Sequence, residues 1–446
     1  MPRYSSLLLF LALLRPALLC AEDWPQWMGP KRDGVFREQD LCASFPATGP
    51  KVLWEVKCGK GYAGPAVAVG RVFLPDRLPA DPNAPKPVNK DAIPGTERLL
   101  CLDANTGKFL WEYKRDTPCT VDYPAGPRAT PTVHGDLVYF LGIHGRLACL
   151  EAASGKVVWE REFEKDYKCK APMWGFSAHP LVYKDTLLCL AAGDGSCLLS
   201  LDLKTGKERW KALSVREPGY CPPVLCDNHG KPLIVQFTGD AIFGVDPDTG
   251  RELWDIPWRV TYGVSIAAPR QHGDTVLVSN YWSGCKMLRL KPGGAKPDIV
   301  WQTEKESATR TTHLNALLCT PVLRDDHVYG VCSYGQIRGL KWDTGARCWE
   351  NNEIVGRGKE VNWGTAFLTQ IDTTDRYFCF TEHGELLILR LTPERCEVLS
   401  RAKVIEPDCP DVKERPVVWT HPAYANGRAF VRNNSVIRCL DLKAAP

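Results

Sequence analysis

One fourteen-residue pattern recurs along the chain and limits what it can fold into. "LLCLDANTGKFLWE" (residues 99–112) returns as "LACLEAASGKVVWE" (147–160), "LLSLDLKTGKERWK" (198–211), "IFGVDPDTGRELWD" (242–255) and "IRGLKWDTGARCWE" (337–350). In each copy a turn glycine stands four residues before a tryptophan: Gly107/Trp111, Gly155/Trp159, Gly206/Trp210, Gly250/Trp254 and Gly345/Trp349. A looser copy, "MLRLKPGGAKPDIVWQ", closes on Trp301, and "LLILRLTPERCEVLS" carries Val398 in place of the tryptophan. Each copy reads as two short strands joined by a tight turn. Counted from Trp54, successive tryptophans lie 57, 48, 51, 44, 47 and 48 residues apart. A period of this size without helical periodicity predicts a β-propeller of four-stranded antiparallel blades.

The chain ends set the blade count. "KVLWEVK" (51–57) has the pattern of an outermost D strand with nothing before it to complete a blade. "VIRCLDLK" (436–443) has the pattern of a C strand with no D strand after it. Pairing the two gives eight blades in an all-β ring closed by its own ends, which removes exposed sheet edges. The innermost strand A of most blades carries a proline: Pro65, Pro131, Pro180, Pro223, Pro269, Pro321 and Pro422. Proline cannot donate to a ladder and belongs at an edge. The blade beginning "NWGTAFLTQ" has none. Residues 22–50 precede the propeller (51–446) as a strap expected to pack across the ring, and the Pro-rich segment 75–97 reads as an inserted loop.

The 56 Lys and Arg nearly balance the 52 Asp and Glu, and no basic run offers a nucleic-acid surface. Residues 1–21 read as a signal peptide, with Arg3, an eight-residue apolar core from Leu7 to Leu14, and a cut after Ala21. Acylation at Cys20 is disfavoured by the bulky Leu19. The expectation is an exported monomer, periplasmic or extracellular, with no transmembrane segment. Its 19 cysteines form no C-x-x-C motif, and several, such as Cys101, Cys149 and Cys439, sit at strand positions as small apolar groups. Cys119 and Cys169, one repeat apart, are candidates for a disulfide.

The pattern L-x-A-L-D-x-x-T-G-K-x-x-W, with Cys101 at the usual alanine, resembles the repeat of pyrroloquinoline-quinone-like propellers. These include quinoprotein alcohol dehydrogenases and the scaffold subunit of the bacterial outer-membrane assembly machinery. The segment "DWPQWMGPKRDGV" is similar to the start of an exported bacterial branch. The resemblance implies that Trp111, Trp159, Trp210, Trp254 and Trp349 dock on the neighbouring blade beside its turn glycine. It also raises a quinone- and calcium-dependent dehydrogenase and an assembly scaffold as alternative functions, since a fold alone does not fix one.

Catalytic signals are thin. A quinoprotein dehydrogenase needs oxygen ligands for calcium and a carboxylate base. No adjacent Cys-Cys pair, no haem motif and no matching Glu, Asn and Asp set stands in the sequence, so neither pyrroloquinoline quinone nor calcium is supported, and no metal site or catalytic residue is assigned. His179 and His421 occupy equivalent strand-A positions and read as polar side chains beside the channel. A different set converges. The D–A connections share one face of the ring and bring Tyr62, Trp174, Tyr220, Tyr262, Trp363 and Trp419 to one mouth of the channel, with Arg128 at the corresponding place and Trp282 in a B–C turn. These rings either plug the funnel or form a binding surface for a protein, peptide or carbohydrate. The expectation is a non-catalytic binding scaffold.

Overall fold

The computed structural model describes residues 22–81, 92–304, 309–410 and 415–444, so the signal segment and Cys20 lie outside the described residues. Eight antiparallel sheets of four strands follow one another along the chain, and one of them gains a fifth strand. Blade 1 comprises Ala66–Ala68, Arg71–Pro79, Gly95–Asp103 and Phe109–Asp116. Blade 8 comprises Ala423–Ala425, Arg428–Arg432 and Val436–Asp441, and is completed by Val52–Lys57 from the other end of the chain. Trp54 lies opposite Cys439 in that closing ladder. The eight-bladed ring and its closure thus follow the sequence pattern.

The repeat earns its period by fixing each blade to the next. Strands B and C lie between neighbours and are buried on both faces, so they read as apolar runs such as Leu147–Leu150. Strand D is an outer edge whose inward side chain is the tryptophan. In all eight blades the C–D ladder slips by one residue just before this position. Such a bulge sharpens the local twist and re-aims the side chain. The indole N–H of Trp159 donates to Leu203 O at 2.9 Å in the following blade, Trp111 to Ala152 O at 3.2 Å, Trp210 to Pro247 O at 3.1 Å and Trp349 to Thr392 O at 2.8 Å. Trp54 and Trp301 do the same to Ala104 O and Trp342 O. Gly206, at φ +65°, leaves the space: a Cβ there would stand 2.6 Å from the Trp159 ring.

Two junctions depart from this pattern. Trp254 is buried, yet its indole nitrogen has no partner among the described residues. The turn it faces is longer, and Gly294 meets Leu253 instead. In blade 7 the turn is longer by two residues, so the bulge places Ser400, not Val398, at the tryptophan position. The strap compensates there: the buried Phe45 donates its backbone N–H to Ser400 Oγ at 2.9 Å.

The segment read as an inserted loop is partly strand. The B–C ladder of blade 1 continues to Pro79 opposite Gly95, taking in both ends of the 75–97 stretch. Strand A stops opposite Phe73, so beyond it that edge of strand B is met only by the isolated bridge between Arg77 and Lys60, and Pro75 and Pro79 are tolerated on either side of it. The suggested disulfide is absent. Cys119 and Cys169 are free thiols, each directed at a nearby carbonyl, Val121 O and Phe163 O.

The strap threads the central channel. Trp24 exchanges two backbone hydrogen bonds with Val67 of blade 1, and Pro25 O accepts from Val133 of blade 2. Arg32 donates to His179 O and Pro180 O of blade 3, while Arg270 of blade 5 donates to Arg32 O and Asp33 O. Val35–Phe36 then pairs in parallel with Ala366–Ile371, the inner strand of blade 7. The seven prolines each stand one residue before their inner strand, not within it. Blade 7 alone lacks one, and its inner edge is the one that accepts a full strand partner. Trp27 seals the axis, stacked on His179 at 4.7 Å and edge-on to His421 at 6.0 Å.

Two measurements check this account. Trp159→Ala removes a buried inter-blade contact and should cost about 3–5 kcal/mol in denaturant unfolding, and unchanged stability would refute its docking role. His421 packs on Phe367 at 4.1 Å, and burial pulls its pKa from 6.5 down to about 3. Between those values the unfolded chain binds the proton and the folded chain does not, so stability falls as pH drops through that window. His421→Leu should lessen this loss between pH 6.5 and 3, the remainder staying with the buried His179, and an unchanged pH dependence would exclude the effect.

Candidate functional site

On the face away from the strap, the D–A connections and B–C turns enclose a cup of about 410 Å³. Its lining contains all eight residues picked out from the sequence: Tyr62, Arg128, Trp174, Tyr220, Tyr262, Trp282, Trp363 and Trp419. They come from seven different inter-strand connections and one B–C turn, and the strap turns what would be an open channel into a closed-bottomed cup. Trp27, His179, His421, Thr320 and Phe367 also line it.

The rings hold one another in arcs. Tyr62 meets Tyr123 at 6.5 Å and Tyr123 meets Trp419 at 6.0 Å. Arg128 lies over the Tyr62 ring at 5.2 Å. Trp174 packs on Tyr220 at 5.4 Å, and Trp282 on Tyr281 at 4.8 Å and Tyr262 at 6.4 Å. Behind the wall, buried Glu382 accepts the Trp419 indole N–H at 3.2 Å and pairs with Arg415, while burial pushes its carboxyl upward. Three of the cup aromatics, Tyr123, Tyr262 and Trp363, have φ between +56° and +58°. A bulky side chain in the left-handed region is strained by about 1–3 kcal/mol and persists only where its surroundings enforce it. Tyr262 is also 62% exposed, so its ring is not held there by burial.

Arg128 is the one permanently charged side chain among the described residues that line the cup. Its guanidinium is anchored by three carbonyls, Gly126 O at 2.5 Å and Asp122 O and Tyr123 O at 2.7 Å. His179 and His421 are held neutral because burial drives both pKa values down. His179 Nδ1 accepts the Thr130 N–H at 2.9 Å, which puts the ring proton on Nε2.

Trp27, Tyr123, Tyr281 and Phe367 were not singled out in the sequence. Tyr281 adjoins Trp282, and Tyr123 shares the connection of Arg128, so position alone carried a signal. Trp27 carried none, because nothing in the repeat shows which strap residue reaches the axis.

The donor set does not suit the cofactor that the resemblance raises. Calcium takes six to eight oxygen ligands, carboxylates among them. The described lining has no Asp, Glu, Asn or Gln, and no three His, Cys, Asp or Glu residues gather as a metal site among the described residues. A quinone bearing several carboxylates would meet a single guanidinium.

A family model described as outer membrane protein assembly factor BamB matches residues 35–166 and 95–351. No curated protein matches the chain at a significant level. Among solved structures, BamB from Moraxella catarrhalis is 14% identical with a TM-score of 0.56, covering 88% of this chain and 99% of that one. Quinohemoprotein alcohol dehydrogenase from Comamonas testosteroni is 13% identical with a TM-score of 0.59, covering 95% and 81%. The enzyme ADHIIG from Pseudomonas putida HK5 is 11% identical with a TM-score of 0.62, again covering 95% and 81%. At such identities these neighbours speak for the fold. With its tryptophan-closed repeats, its ring of eight blades and the family match across most of its length, the chain belongs to the pyrroloquinoline-quinone-like β-propeller family.

Proposed function

We propose that this protein is a non-catalytic, exported binding propeller that holds a protein, peptide or carbohydrate ligand in its aromatic cup. The observation that carries the reading is the set of strained cup aromatics. Rings that merely filled the funnel would be buried and would sit on relaxed backbone. Tyr262 is neither, and backbone strain of this kind concentrates where a protein binds or switches. The cup volume lies within the range of small-ligand sites, and its walls are mostly apolar with few polar groups, as such sites are. Acid–base chemistry has little to work with, since both histidines are neutral at pH 7 and carboxylates are missing from the described lining. Export rests on the pattern of residues 1–21. No helix among the described residues is long and apolar enough to cross a membrane.

A second reading is that of a scaffold subunit in outer-membrane protein assembly. It is favoured by the BamB family match and by coverage of nearly all of the Moraxella catarrhalis BamB chain. Affinity purification from envelope extract separates it from a free ligand binder: recovery of outer-membrane assembly proteins supports it, and their absence counts against it.

The cup itself is tested by tryptophan fluorescence against peptide and oligosaccharide pools. At least one pool should quench or shift the emission. Trp174→Ala with Trp363→Ala should abolish the response. Tyr262→Gly should leave stability within about 1 kcal/mol, because glycine relieves the left-handed strain, yet weaken binding. Intact binding in the double variant would overturn the reading, and so would alcohol oxidation by the chain loaded with quinone and calcium.

A further inference from the structure

The permanent charges in the wall and under the floor of the cup are of one sign. Aromatic enclosures usually attract cations, because the ring faces are electron-rich. Here the positions a cation would need to approach are already positive. Arg128 stands in the wall. Arg32 lies under the floor, 5.3 Å from the Trp27 ring, and Arg270 lies beside it in the channel. All three guanidinium groups bond to backbone carbonyls, and none forms an ion pair with a carboxylate among the described residues. Burial lowers the pKa of each, that of Arg32 to about 9, which still leaves it charged at neutral pH.

The acids nearby do not cancel this. Asp33 is paired with Arg37, and Glu382 with Arg415. Asp122 and Glu217 stand exposed outside the cup lining, where water screens them. Glu97 is buried on the Arg128 side, accepts the Ile143 N–H at 2.9 Å, and is pushed by its burial toward the neutral acid.

The hydrogen-bonding groups point the same way. Trp27 and Trp282 both line the cup, and both have a buried indole N–H without a partner. The Nε2–H of His179 is a third donor. Arg128 spends three N–H groups on carbonyls and keeps two of its five. A ligand that satisfies such a wall supplies acceptors, not donors. A carboxylate is the strongest acceptor for a guanidinium.

We infer that the cup selects an apolar ligand that carries a single carboxylate, with its body among the rings and its acid group on Arg128. This rests on the reading of the cup as a binding site and widens its ligands to small acids. Two sources share this chemistry, a small aromatic or aliphatic acid and the C-terminal residue of a peptide ending in an apolar side chain.

Calorimetric titration of the full mature chain with matched probes tests the inference. 2-Naphthoate, 2-naphthalenemethanol and 2-naphthylmethylammonium share one ring system and differ in charge. The carboxylate should bind at least tenfold more tightly than the alcohol, with the ammonium weakest, and the preference should shrink at high salt. Arg128→Gln should erase the difference between acid and alcohol, while Arg128→Lys should retain most of it. Acetyl-Gly-Gly-Phe as the free acid and as the amide separates the two sources. A free-acid preference there identifies a peptide terminus, and naphthoate binding without it identifies a small acid. Equal affinity for naphthoate and the alcohol, or tighter binding of the ammonium, overturns charge selection while leaving the cup a binding site. Failure of every aromatic probe and every pool overturns both readings. The wild-type comparison decides even if Arg128→Gln does not fold.

Discussion

A closed ring of eight sheets leaves a channel on its axis, walled by strand edges with unpaired backbone groups. Everything else in this molecule answers to that constraint. A proline ahead of seven of the eight inner strands withdraws a donor at the start of each. The strap satisfies further edge groups, bonding to Val67, Val133 and the inner strand of blade 7 in turn. Filling the axis from one side leaves the other side open, and the open side is where the irregular connections deposit their aromatic rings. The cup is therefore the part of the channel that the strap does not fill.

The period of the repeat was enough to read the architecture, because the tryptophan and the turn glycine are two halves of one contact between adjacent blades. A pattern that recurs for a packing reason reports the packing directly. The departures were harder to see. Val398 aligned with the tryptophans by sequence, yet a turn longer by two residues moves Ser400 into that place. No spacing rule anticipates how a bulge and a longer turn share out the extra residues. Likewise Pro75 and Pro79 look like loop residues by composition, and become strand because the neighbouring inner strand is only three residues long.

The candidate site was legible to the extent that topology fixes it. Once strands alternate in direction, every D–A connection and B–C turn must emerge on the same face, so eight lining residues could be named without a coordinate. Whatever depends on the strap escaped, above all Trp27, because a segment outside the repeat has no register. The electrostatics escaped too. Arg32 and Arg270 are far apart in sequence and meet only because the strap passes blades 3 and 5 on its way to blade 7.

The way the ring closes has a consequence for how the molecule is made. The floor joins Trp27, near one end of the chain, to His421, near the other, and the last blade borrows its outer strand from residues 385 positions earlier: Trp54 lies opposite Cys439. Contacts of such sequence separation form late, since the loop they close must be ordered first. During synthesis the first outer strand emerges long before its partner exists, and remains unpaired until the final strand leaves the ribosome. Blades 1 to 7 can assemble progressively, but the floor of the cup cannot. A chain cut short within its last blade would keep most of its sheets and have no complete cup, so the cup exists only where the backbone is complete.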